Sequence, residues 1–136
     1  MLNPIPELLV LSFFAPTIIR VFLGGAFLYR GLRALGKEKG MLAEQIQKVP
    51  FFFGSPLAWI TFIGSLEIIT ALLLIVGLYT QIAAIIIALF SIANLKMRIF
   101  GKVIGNEAAL FYVMTLAASL SLALTGAGLF AFDLPL

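Results

Sequence analysis

Cysteine and histidine are both absent from this chain, and charge is scarce. Without cysteine there is no disulfide, no CxxC redox pair and no thiolate metal ligand. Without histidine there is no imidazole base and no imidazole ligand for haem or metal. Neither haem nor a metal is therefore expected as a cofactor. Charged residues make up 11% of the 136 positions and hydrophobic residues 62%. A water-soluble domain usually holds about 25% charged and about 45–50% apolar residues. So few charges could not cover so much apolar surface in water, whereas a bilayer does not require it. The length suits one domain, 1–136, and not two. The net charge is +3. Apart from Arg20, the basic residues fall in or beside loops, with no basic stripe and no aromatic interleaving, so no nucleic-acid partner is expected. No Lys or Arg precedes the first apolar run, so the basic opening of a cleaved signal peptide is missing.

What the chain does have is four long apolar runs. A membrane-crossing helix needs roughly 20 residues at 1.5 Å each. The first run predicts a helix over about 13–33, with Pro6–Phe14 either a kinked extension or a piece lying at the interface. The second predicts 57–79, with Trp59 and Tyr79 near its ends, where amphipathic rings favour the headgroup level. The third, 80–97, follows at once. Gly77 suits a left-handed cap and Thr80 an N-cap, which gives a tight hairpin. The fourth covers about 107–130. Between the first two runs, Met41, Leu42, Gln45, Ile46 and Val49 share one helical face. Glu44, Gln47 and Lys48 share the other. This pattern predicts a short amphipathic helix on the membrane surface, ended by Pro50. The fold class expected is all-α: an integral membrane four-helix bundle with a short interfacial helix between spans one and two.

Orientation follows from the basic residues. Arg30, Arg33, Lys37, Lys39 and Lys48 lie in or beside loop one, and Lys96, Arg98 and Lys102 in or beside loop three. Eight of the nine basic residues thus share one side. The positive-inside rule places that side in the cytoplasm and both termini outside.

The ninth basic residue, Arg20, stands inside span one. It lies about 12 residues, roughly 18 Å, from the span's end near Leu32, and Glu67 about 11 residues, roughly 16 Å, from the start of span two near Pro56. Similar depths on antiparallel neighbours predict that Arg20 meets Glu67, since a buried guanidinium and carboxylate satisfy each other. The competing arrangement has Arg20 snorkelling outward and Glu67 alone. Arg20, Glu67 and Glu107 form the candidate intramembrane polar cluster. Asn94 and Asp133 are secondary candidates, and no residue is expected to be catalytic. Taken singly, Glu107 and Asp133 read as solvated or helix-capping carboxylates, and Asn94 as a helix-end residue.

Three stretches, "RVFLGGAFLYRGLRAL", "VPFFFGSPLAWITFIGSLEIITALLLIVGLYTQIAA" and "GNEAALFYVMTLAASLSLALTGAGLFAFD", resemble the DoxX family of small four-helix membrane proteins. The matching positions are Arg20 and Gly24 in span one, Pro50 before span two, and Glu67 within it. Gly77, Leu78 and Thr80 match the hairpin, and Glu107 the opening of span four. Gly126, Gly128 and Asp133 match its end. The sequence departs from the family pattern at Gln81, where an Arg is usual. It also departs in "LFAF", where polar residues are usual, and near Asn94, where a His is frequent.

The resemblance implies a link to membrane redox complexes, with a quinone as the candidate cofactor. Three functions follow. The first is a noncatalytic subunit or scaffold of a quinone-linked complex. The second is a quinone-binding oxidoreductase subunit, and the third a small proton-coupled carrier. The partners expected are the lipid bilayer and a partner subunit or further copies of the chain. With no Cys, no His and no nucleotide-binding Gly loop, redox chemistry would have to be borrowed from a bound group.

Overall fold

A computed structural model describes residues 14–47, 54–99, 107–126 and 128. Among these residues the chain is all-α, with five helices. Helix α1 spans Ala15–Leu35 and α2 spans Lys39–Gln47. They are followed by α3 (Pro56–Val76), α4 (Thr80–Ile99) and α5 (Ala109–Thr125).

Local chemistry sets the helix ends. Pro16 occupies the first turn of α1, where a missing N–H costs nothing. Ser55 caps α3, its Oγ accepting from the Ala58 N–H at 3.2 Å, and Pro56 follows as the first helical residue. Gly77 closes α3 at φ +81°, the left-handed conformation expected for it, and the Gly77 and Leu78 N–H groups both donate to the Leu73 carbonyl. Tyr79, at φ +51°, completes the turn. Thr80 is fully buried as the first residue of α4 rather than its cap.

The helix bounds lie close to those expected, with two differences. The fourth apolar run is helical only to Thr125, because Gly126 (φ +79°) breaks the geometry. The short helix begins at Lys39, with Leu42 as its buried residue. Its proposed Val49 and Lys48 positions, its terminator Pro50 and residues 6–13 of the proposed extension lie outside the described residues, as does Asp133.

The four long helices pack side by side in the cyclic order α1, α3, α4, α5. The contacts are richest between α1 and α3 and between α4 and α5, and α2 lies mainly on α3. Inward positions recur every three or four residues, as in Ile60, Gly64, Glu67, Ala71 and Leu74 of α3, and Tyr112, Thr115, Ser119 and Leu122 of α5. The apolar centre joins Leu23, Phe27, Ala71 and Leu74 to Ala83, Ala84, Ile87 and Leu122.

Charged and polar side chains share the interior with this apolar centre, while large apolar ones cover the outside. Arg20, Glu67, Thr70, Ser91 and Ser119 are buried, whereas Phe22, Phe62, Met114 and Leu124 are exposed. Such a contiguous apolar exterior suits a lipid environment. Among the described residues, α3 and residues 80–98 of α4 are long and apolar enough to cross a membrane. Helix α5 is apolar but has 17 residues, and α1 carries Arg20, Arg30 and Arg33.

Candidate functional site

The register of α1 against α3 decides which charges meet. Gly31 lies against Gly64, Glu67 and Ile68, and Gly24 lies against Ala71 and Ile75. A side chain at either glycine would collide with the facing helix. A Cβ on Gly31 would come within 2.8 Å of Ile68 Cγ1 and 3.2 Å of the Gly64 carbonyl. Small residues thus let the two backbones approach closely, which matters where lipid supplies no hydrophobic drive between helices.

This register overturns the expected Arg20–Glu67 contact. Glu67 is level with Leu28, and Arg20 sits about eight residues of rise, roughly 12 Å, further along the bundle. The expectation failed because it set Leu32 and Pro56 at the same depth. In the structure Gly31 is level with Gly64, so α3 projects about two turns past that point, to where α2 packs on it. Arg20 is buried in α1, 2% exposed, away from this cluster.

The guanidinium that meets Glu67 belongs to Arg30. Its Nη2 lies 3.1 Å from Glu67 Oε1, with Glu67 only 1% exposed. The same Nη2 donates to Asn94 Oδ1 of α4 at 3.3 Å. The amide of Asn94 is itself held, its Nδ2 donating to the Phe90 carbonyl at 2.8 Å. The Arg30 guanidinium lies 5.2 Å from the ring centre of Tyr112 in α5 and 5.7 Å from that of Phe27 in its own helix. A desolvated cation against a ring face is stabilised by the ring's quadrupole. One guanidinium therefore touches side chains from all four long helices.

Glu107 joins through Tyr112, whose hydroxyl donates to Glu107 Oε2 at 3.3 Å. Arg98 lies over the Tyr112 ring at 5.8 Å, and Phe111 stacks on Phe27 with ring centres 6.3 Å apart. Arg30, Arg98 and Glu107 thus surround one buried tyrosine, and Glu67 joins them through Arg30. The formal charges balance. Beside this cluster, Ser91 Oγ and Thr115 Oγ1 are 2.9 Å apart and link α4 to α5. Among the described residues, no group of three or more carboxylates gathers to hold a metal ion.

Of the residues singled out from sequence, the structure brings Glu67, Glu107 and Asn94 together and leaves Arg20 apart. Sequence reasoning missed Arg30 and Tyr112. Arg30 was read as a flanking loop charge, although it falls seven residues, two turns, after Leu23 on the inward face. That spacing was the available signal.

A buried ionic cluster within apolar-surfaced helices defines a class: small helical membrane proteins. The DoxX family model matches residues 15–95, more than half of the chain, and the chain belongs to the DoxX family. The match contains Arg20, Arg30, Glu67 and Asn94 and stops before Glu107 and Tyr112. Neither the curated proteins nor the solved structures yield a match.

Proposed function

We propose that this chain is a noncatalytic membrane subunit or scaffold, associated with a quinone-linked redox complex. On this reading all four long helices form one transmembrane domain with both termini outside and loops one and three in the cytoplasm. The observation that carries it is Arg30, which contacts Phe27, Glu67, Asn94 and Tyr112 and so joins all four helices. Buried charges that answer one another hold the four helices together in the register their close contacts set and leave the outer faces to partners. The redox association rests on family membership.

A second reading has its own support. Among the described residues, Arg30 Nη1 is buried without a hydrogen-bond acceptor. A quinone carbonyl is such an acceptor, and the Phe27 ring, stacked on Phe111, lies beside the guanidinium.

Gentle-detergent capture, with mass spectrometry of co-purifying proteins and quinones, tests the first reading. A stoichiometric membrane redox partner is the expected result. The isolated chain in nanodiscs should show no turnover with thiosulfate or a reduced quinone analogue. Sustained turnover, lost in Arg30→Ala, would refute the scaffold and establish the second reading.

A further inference from the structure

The basic residues at the end of the molecule bearing α2 divide into two groups. Arg30 is answered by Glu67, and Arg33 pairs with Glu38 while lying 5.5 Å from the Tyr29 ring centre. Arg98 sits over Tyr112 beside Glu107. The remaining lysines are different. Lys37 and Lys96 are exposed, Lys39 is half-buried, and among the described residues no carboxylate pairs with any of the three. Helices α1 and α4 end on the same side, since Arg30 reaches Asn94, so these lysines belong to one end of the molecule.

We infer that this end binds the phosphate-bearing headgroups of anionic lipids. The inference rests on the membrane reading above. Two features favour lipid over a folded partner. First, the unmatched charges are lysines, flexible and strongly hydrated point charges, which attract phosphate by charge without the fixed bidentate geometry that a mobile headgroup does not hold. Secondly, an exposed aromatic and apolar border accompanies them. Trp59, Tyr29, Leu32 and Leu57 are all exposed near this end. Amphipathic rings beside lysines are the composition of a membrane–water interface. A helix anchored by Leu42 lies alongside, with Glu44 its exposed acidic residue.

Each lysine near an anionic surface strengthens the attraction about fivefold, and the effect falls within a Debye length. The test uses the full chain reconstituted in vesicles of phosphatidylcholine containing trace spin-labelled phosphatidylglycerol or spin-labelled phosphatidylcholine. A motionally restricted component with either label reports helices in contact with lipid. The expected result is severalfold preferential association of phosphatidylglycerol at low salt, largely abolished at about 0.5 M salt. Lys37→Gln/Lys39→Gln/Lys96→Gln should lose the preference yet keep the restricted component. The corresponding triple Lys→Arg variant should keep both. Equal association of the two lipids in the native chain, or a preference that survives in the triple Gln variant, would overturn the inference while leaving the membrane reading intact. No restricted component with either lipid would overturn both.

Discussion

Arg30 is the residue on which the interior depends. Its partner Glu67 is almost wholly enclosed, so removing the cation leaves a buried carboxylate without its counter-charge. Breaking one side of a buried pair costs about 3–5 kcal/mol, whereas replacing both sides by apolar residues of similar volume is often neutral. Arg30→Met should therefore lower stability in detergent by that order, and Arg30→Met/Glu67→Leu should recover most of it. Equilibrium unfolding of the two single variants and the double variant measures the coupling. The same cycle with Arg20→Met and Glu67→Leu should be additive to within about 0.5 kcal/mol, because the two sites lie too far apart to couple directly. A strong coupling there would restore the contact that the helix register excludes.

Helix by helix, the decisive contact is α1 on α3. Its glycines differ in what surrounds them. Gly24 and Gly31 face the backbone of α3, but Gly25 has open space around it. Gly31→Val should cost about 1–3 kcal/mol through forced separation of the helices. It should also weaken the Arg30–Glu67 pair, which depends on that separation. Gly25→Ala should be tolerated, since the added methyl meets nothing. Unfolding midpoints of both variants in one detergent decide the matter. Equal losses at the two positions would mean that helix propensity, and not close approach, governs this interface. The α4–α5 contact rests instead on small side chains and the Ser91–Thr115 hydrogen bond. Ser91→Ala should cost about 1 kcal/mol, because Thr115 keeps its second bond to the Tyr112 carbonyl at 3.1 Å.

The molecule as a whole has two unlike ends. Lys37, Lys39, Lys96 and Arg98 gather at one, and the Gly77–Tyr79 turn, with Gln81 just beyond it, marks the other. If the basic end is cytoplasmic, Lys37→Cys in right-side-out vesicles should react with an impermeant maleimide only after permeabilisation. Gln81→Cys, exposed at the opposite end, should react without it. The reverse pattern would invert the topology while leaving every helix contact unchanged.

Composition alone determined the solvent: a chain with so many apolar and so few charged residues belongs among lipids. Local sequence also determined most of the elements. Gly77 acts through its own backbone chemistry, which needs no tertiary partner, so the cap at that helix end was legible; Pro16, Ser55 and Pro56 are signals of the same local kind that sharpen the other ends. Part of the cluster was legible too, because a carboxylate at Glu67 is conspicuous in an apolar run. Which cation meets it was not. That choice depends on how far α3 slides along α1, and the slide is set by Gly24 and Gly31 against Ala71, Gly64 and Ile68. A displacement of seven residues between two helices changes no local pattern in either one. Only the packed structure could decide that Arg30, and not Arg20, faces Glu67.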